Sequence, residues 1–477
     1  MKLNIWHLIT IALLSVSSGL CNGCKEKNNV NDSQQDNTAV QFWLTDPKQN
    51  IYFSEQKSIT PSSSTGGLDM IAVNPEKTYQ EMDGFGFALT GGSALHIFNM
   101  TPAERTKLLT ELFSTKDKNI GISYLRISIG ASDLDARPFS YDDLSSGQTD
   151  VDMQKFTMAE DEKCLIPVLK EILAINPDIR ILASPWSAPS WMKTNGKTIG
   201  GSLKPEYFDA YSKYMIQYIM GMKNAGINID AITVQNEPLH PGNNPSMYML
   251  PADQAAFIKT SLGPAFKSVG IKTKIIIYDH NADRIDYPIS VLNDADARKY
   301  VDGSAFHLYG GEISALSQVH NTHPDKNLYF TEQWVGAGSS LSDNLKYHVR
   351  ELIIGASRNW CKTVLEWNLA SNPSLTPHTE GGCDQCLGGI TIQGDQITRN
   401  AGYYIVAHAS KFVRPGSKRI DSNLPADLPN VAFSTPEGKT VVIVLNNSDT
   451  SKSFNIKVGN KIILASLSAG AAGTYVW

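Results

Sequence analysis

The chain has 477 residues, of which 42% are hydrophobic and 19% charged, and its formal net charge is −5. Such a length and composition can bury a large core and exclude wholesale disorder. The slight acidic balance gives no electrostatic handle for nucleic acid or an anionic membrane, so neither is expected as a partner; a neutral substrate is compatible with it.

Residues 1–24 read as an export signal. Lys2 opens a short charged region, and residues 9–16 form an apolar stretch too brief to span a bilayer. Cys21 and Cys24 follow small residues, as in a bacterial lipoprotein signal whose cysteine is lipidated. Gly23-Cys24 fits the small-residue requirement better than Leu20-Cys21. An ordinary cleaved signal with incidental cysteines is the bland alternative. The expectation is therefore an exported protein tethered by lipid to the bacterial cell envelope, at the outer membrane or cell surface, or else periplasmic or secreted; any membrane contact is through the anchor alone. Residues 25–38, rich in Asn, Asp, Gln, Lys and Ser, read as a flexible linker.

Residues 39–82 carry short strand-like pieces, 40–44 and 51–53, separated by Ser, Pro and Gly. Over residues 83–405 the texture changes, and short apolar runs alternate eight times with longer helical stretches. The expected strands are 85–89, 123–129, 179–184, 231–235, 274–278, 303–308, 328–331 and 363–367. Near-continuous apolar runs mark strands buried on both faces of a parallel sheet. Helix ends fall between them. Thr101-Pro102-Ala103-Glu104 offers a capping residue with proline at the first helical position, and Gly226 and Gly270 are stops. Eight strand-then-helix units predict a (β/α)8 TIM barrel. An open doubly wound sheet usually has fewer strands, and no glycine-rich phosphate loop is present. Over residues 406–477 the pattern turns to short strands, 431–433, 441–445, 454–458, 462–467 and 475–477. These predict a small β-sandwich side domain, which the strands before Asp83 join because a lone hairpin would be marginal.

Catalytic groups of such a barrel sit at the carboxyl ends of its strands. Those ends carry Arg126, Trp186, Asn236-Glu237, Asp279-His280, His307 with Tyr309, Glu332, and Trp367-Asn368. Two carboxylates stand out. Glu237 ends the fourth strand and Glu332 the seventh, so the fold can bring them face to face across the barrel mouth. A lone glutamate is most often a solvated surface group, and one beyond a strand end can simply cap a helix. A facing pair ringed by aromatics is the apparatus of glycoside hydrolysis, with one carboxyl protonated and one ionised, about 5–5.5 Å apart for retention of configuration. Arg126 is a candidate charge partner for the ionised one, or a structural ion pair. His307 is either a site residue or a satisfied structural donor. Trp186, Trp191, Trp334 and Trp367 provide flat apolar faces for sugar rings, although any one of them could be a core aromatic.

The sequence resembles glycoside hydrolase family 30, the group of glucosylceramidases and β-1,6-glucanases. The likeness runs from Asp83 to the C-terminus. It rests on Gly84-Phe85-Gly86-Phe87-Ala88-Leu89-Thr90, Leu125-Arg126-Ile127-Ser128, and Ala183-Ser184-Pro185-Trp186-Ser187-Ala188-Pro189-Ser190-Trp191-Met192-Lys193-Thr194-Asn195-Gly196. Asn236-Glu237-Pro238, His307-Leu308-Tyr309, Thr331-Glu332, Glu366-Trp367-Asn368-Leu369-Ala370 and Ser410-Lys411-Phe412 add to it. The resemblance implies a barrel with a sandwich built from both chain ends and retaining hydrolysis of β-glucosides. It assigns Glu237 as acid and base, Glu332 as nucleophile, and Arg126, Trp186, Asn236, His307, Tyr309 and Trp367 to the first sugar site. One departure stands out. The family often has Thr-Asp after the first strand, its aspartate binding sugar hydroxyls, where this chain has Thr90-Gly91-Gly92. An open cleft that lets a glucan chain continue would suit that change.

The function expected is thus an endo-β-1,6-glucanase acting on β-glucan as a monomer. A glucosylceramidase or β-glucosidase shares every catalytic motif, and a catalytically inactive glycan-binding lipoprotein is the alternative from a different class. No cofactor is expected, and no residues show metal-ligand spacing. Cys383-Asp384-Gln385-Cys386 lies between glycines, so export favours a small loop disulfide there. Cys164 and Cys361 sit among apolar residues and read as inert core thiols.

Overall fold

The computed structural model describes residues 39–62 and 65–477. The expected signal and linker, 1–24 and 25–38, lie outside the described residues. Among the described residues no helix is long and apolar enough to cross a membrane.

Eight parallel strands close into a barrel in the order Gly84–Ala88, Tyr124–Ile129, Arg180–Pro185, Ala231–Thr233, Lys274–Asn281, Val301–His307, Asn327–Glu332 and Cys361–Asn368. The last pairs with the first through Thr363 opposite Gly84. These are the eight runs expected from the sequence, and the largest shift is at the fifth, which continues past Tyr278 to Asn281. One side chain from each of seven strands fills the interior: Tyr124, Leu182, Ala231, Ile276, Ala305, Tyr329 and Leu365. Two alanines make room for the larger side chains between and beside them, so the barrel is packed rather than hollow.

Helices wrap the barrel with their apolar stripes inward. The helix Pro102–Phe113 buries Leu108, Leu109, Leu112 and Phe113. Its expected side-chain cap is absent. The Thr101 side chain accepts no amide, and the residue spends its own N–H and hydroxyl on Asp395, at 2.8 Å each. The helical stretch from Pro251 to Val269 stops at Gly270, whose φ of 72° closes the last turn in a conformation that costs glycine little.

A nine-stranded sheet carries both the first and the last of the described strands. Its order is Ile51–Ile59, Val40–Asp46, Ala472–Val476, Thr440–Leu445, Asn430–Ser434, Lys418–Ser422, Met70–Glu81, Lys452–Val458 and Lys461–Leu467. Phe454 and Tyr475 lie on strands five places apart, which a flat sheet would separate by about 24 Å. Their rings are 6.5 Å apart. The sheet therefore curls onto itself around Val40, Ile71, Ile420, Val442 and Ile456, as a sandwich.

Barrel and sandwich share the helix Ala401–Ser410. His408, buried on it, lies 2.8 Å from both Thr45 Oγ1 and Thr474 Oγ1 of the sheet. The domain boundary expected after residue 405 falls inside this helix, because its apolar face continues past that point onto both layers. Cys383 and Cys386 are disulfide-bonded, and Cys361 is buried. Cys164, expected in the core, is only half-buried, because it precedes the first turn of the helix Leu165–Ile175.

Candidate active site

Three non-glycine residues at the barrel mouth adopt left-handed backbone: Glu237 at φ 43°, Tyr278 at 71° and Asp279 at 69°. Such conformations cost free energy and cluster where function dictates geometry. After Thr233 the fourth strand leaves its regular ladder. Asn236 N donates to Pro185 O at 2.8 Å, and Glu237 N donates to Asp279 O at 3.0 Å. The fifth strand carries a register irregularity between Tyr278 and His280. Together these distortions set Asn236, Glu237 and Asp279 around one point.

Arg126, fully buried, is the hub. Its guanidinium donates to Glu332 Oε2 at 2.5 Å, Asn236 Oδ1 at 2.7 Å, Asp279 Oδ2 at 2.8 Å and Ser184 Oγ at 3.1 Å. A buried cation is tolerated only with partners of this quality. Burial opposes its charge, but Asp279 and Glu332 outweigh burial and hold it above its usual pKa. Asp279 also accepts from Thr233 and Thr331 hydroxyls at 2.7 and 2.6 Å. Burial would raise Asp279, yet Arg126 and His307 hold it well below the usual carboxylate range.

His307 is fully buried between carboxylates, with Nδ1 3.0 Å from Glu237 Oε1 and Nε2 3.1 Å from Asp279 Oδ1. Burial alone would lower it, but Glu332, Asp279 and Glu237 push it up to about 9. Both ring nitrogens therefore carry protons near neutral pH and donate. The Tyr309 hydroxyl donates to Glu332 Oε1 at 2.9 Å.

Carboxyl oxygens of Glu237 and Glu332 and a ring nitrogen of His307 lie within 4.8 Å of one another. Three donors so placed could in principle hold a cation. Here the imidazolium has no free lone pair and the Arg126 charge sits on Glu332, so the set does not fit a metal. The charges instead count to neutrality with one shared proton: Arg126 and His307 against Asp279 and one ionised glutamate. Burial raises Glu332; His307 and Arg126 pull it down, but Glu237 and Asp279 leave it above the ordinary glutamate value. Burial also raises Glu237, but the hydrogen bond and charge of His307, with His280 and His240, bring it below. The two glutamates thus share one proton, which belongs to the pair rather than to either residue.

The cleft above them has a volume of about 460 Å³ and is lined by Asp133, Glu237, Glu332, Tyr309, Trp334 and Trp367, with the disulfide at its edge. A larger groove of about 1310 Å³ opens at the other strand ends, beside Arg180 and Lys411, and holds none of these carboxylates. The four tryptophans expected as sugar platforms divide. Trp334 and Trp367 face the cleft. Trp186, 2% exposed, lies behind, its ring tilted against Trp367 at 5.5 Å and beneath the Arg126 guanidinium at 4.9 Å. Trp191 packs on Tyr207 and donates to Asp142, outside the cleft. Arg126, Asn236, Glu237, His307, Tyr309, Glu332 and Trp367 do converge. The sequence reading named Asp279 near the end of the fifth strand but gave it no role, and it passed over Asp133, which lies in a patternless loop with no strand end to mark it.

The description "Glycosyl hydrolase family 30 TIM-barrel domain" matches residues 82–413, and the family's β-sandwich domain matches residues 416–475. The chain belongs to glycosyl hydrolase family 30. Family 30 membership makes it a glycosidase and accounts for the barrel with its attached sandwich. The chain is 33% identical over 410 residues to an endo-1,6-β-D-glucanase of Aspergillus fumigatus, covering 80% of this chain and 82% of that protein. It is 30% identical over 455 residues to the lysosomal acid glucosylceramidase of Mus musculus, covering 87% and 85%. A solved endo-β1,6-glucanase superposes with a TM-score of 0.85 at 35% identity, over 92% of this chain and 99% of that one.

Proposed function

We propose that this family 30 enzyme is an endo-β-1,6-glucanase in which Glu332 is the nucleophile and Glu237 the general acid and base. The observation that carries the reading is the pair of buried carboxyls within 4.8 Å, in a charge cluster that is neutral when the pair holds one proton. That spacing suits retention, which leaves no room for a water between the carboxyls.

In the first step Glu332 attacks the anomeric carbon while Glu237 gives its proton to the departing glycosidic oxygen, leaving a glucosyl ester on Glu332. Water then enters, Glu237 takes its proton, and the hydroxide displaces Glu332 with the β configuration retained. Arg126 and Tyr309 place two hydrogen bonds on Glu332, which favours its ionised form in the substrate complex. That leaves the shared proton to Glu237, which faces the leaving oxygen. Arg126 occupies Asn236 Oδ1, so the Asn236 amide nitrogen is left to donate to a sugar hydroxyl. Trp367 offers the ring a flat face, and Trp186 supports it from behind.

The substrate reading rests on the endo-1,6-β-glucanase relatives and on Gly91 in place of the aspartate after Thr90. Export, lipid attachment at Cys24 and action as a monomer belong to the same proposal; the sequence of residues 1–38 supports the first two. The test is product analysis on β-1,6-glucan with Glu332→Gln as control. Early short oligosaccharides from the wild type alone are expected. Release of glucose only from glucosylceramide would move the substrate to the second kind of relative. Equal rates for wild type and Glu332→Gln would make the protein a glycan binder.

A further inference from the structure

Lys193 is 1% exposed, yet its ammonium pairs with no carboxylate among the described residues. Its three N–H groups are all spent on neutral oxygens: Ser246 O at 2.7 Å, Ser187 Oγ at 2.8 Å and Thr198 O at 3.0 Å. Burial pushes the amine down to about 7, and no charged or titratable neighbour adds to that effect or offsets it. A charge buried without a counter-ion is costly, so a lysine kept at such a place points to a task.

The three oxygens belong to two loops of the barrel mouth. Ser187 directly follows Trp186, and Thr198 lies further along the same loop, which a bridge between Lys193 and Leu203 closes at its base. Ser246 belongs to the loop after the fourth strand. That loop starts at Glu237 and folds back on itself, with Met249 N donating to Pro238 O at 2.9 Å. Further bonds join the two loops around the ammonium. Ser246 N donates to Thr198 O at 3.0 Å, Tyr248 N to Gly201 O at 2.8 Å, and the Thr198 hydroxyl to Asn244 Oδ1 at 3.0 Å. Glu237 itself is held from elsewhere, by Asp279 O and His307. What the lysine holds is the stretch after Glu237, whose His240 and Asn243 line the cleft.

We propose that Lys193 is a positioning residue whose ammonium locks these two loops together and so fixes the wall at His240 and Asn243 against which the leaving glucan segment lies. This rests on the β-1,6-glucanase reading. The leaving segment meets that wall because Glu237, at its root, is the acid that faces the leaving oxygen. An ammonium satisfies all three oxygens at once. A neutral amine has two N–H groups and a lone pair, so one oxygen loses its donor unless the Ser187 hydroxyl gives up Ala188 O, which it holds at 2.8 Å. The wall is therefore firm while Lys193 is protonated and loosens as pH rises past about 7.

The experiment measures KM and kcat from pH 6 to pH 9 for wild type, Lys193→Met and Lys193→Arg on the β-1,6-linked glucose tetrasaccharide, with 4-nitrophenyl β-glucoside as control. For wild type, KM on the tetrasaccharide should rise about 10-fold across that range, while KM on the aryl glucoside changes less than about threefold. Lys193→Met should show the high tetrasaccharide KM at every pH, with kcat at pH 6 within about threefold of wild type. Lys193→Arg, whose charge does not titrate here, should keep the low KM to pH 9 and covers the case in which the methionine variant fails to fold. A wild-type KM that stays constant with pH, or moves equally on both substrates, would overturn the proposal. So would a Lys193→Met variant that follows wild type in KM and pH profile, which would leave Lys193 a filler of the loop. A wild type that cleaves the aryl glucoside and leaves the tetrasaccharide intact would instead overturn the β-1,6 reading.

Discussion

Arg126 sets the chemistry of the cleft because its guanidinium bridges Glu332 and Asp279 directly. Removing it takes the guanidinium from two buried carboxylates, so Arg126→Met should cost about 3–5 kcal/mol of stability, measured by denaturant unfolding, as well as activity. The two glutamates can be told apart by azide rescue. For Glu332→Ala with an activated aryl glucoside, azide should take the place of the nucleophile and give the α-azide. For Glu237→Ala it should intercept the ester on Glu332 and give the β-azide. Loss of the acid should itself cost roughly 10²–10⁴-fold with a poor leaving group. His307 adds a pH signature. Its pKa is raised to about 9 in the folded state, so its contribution is complete below its unfolded value and is lost as pH rises through about 9. Wild type should lose about 3 kcal/mol over that window, and His307→Gln should show a flat profile there. Equal slopes in the two proteins would contradict the imidazolium assignment.

At the scale of elements, the eight barrel strands were legible because strands buried on both faces have near-continuous apolar runs, such as 181–183 and 275–278. What periodicity could not show is where a strand stops being regular. Val234 to Glu237 look like more strand, yet Glu237 turns left-handed there to reach Asp279 O. Asp279 carried a signal of position but none of partnership, since its contacts to Arg126, His307, Thr233 and Thr331 come from four other strands. Trp186 matched its motif and still lies behind the cleft, because aromatic identity does not tell which ring of a touching pair lines it. Asp133 sits in the long loop after the second strand, where no repeat pattern exists. The barrel interior gives a direct check on strand packing. Leu365→Ala removes the largest aliphatic contribution of the eighth strand to a fully buried layer, and should cost about 2–5 kcal/mol in denaturant unfolding without changing KM.

Across the whole molecule the first and the last of the described strands are woven into one sheet, and His408 ties that sheet to the barrel. Burial lowers its pKa to about 3, so it is neutral when folded. A His with a depressed pKa contributes stability above its unfolded value that is lost as pH falls toward about 3. Acid should therefore loosen the barrel–sandwich contact first. Calorimetry is expected to show one transition at pH 7 and a steeper acid loss for wild type than for His408→Asn; identical acid profiles would remove His408 from the account. The paired glutamates remain the central claim, and covalent labelling tests them most directly. A 2-deoxy-2-fluoro β-glucoside with a good leaving group should stall the enzyme as its glycosyl ester, because fluorine slows the second step by destabilising the positively charged transition state. Peptide mapping by mass spectrometry should place the label on Glu332. A label on Glu237, or active enzyme that accumulates no ester, would contradict the account.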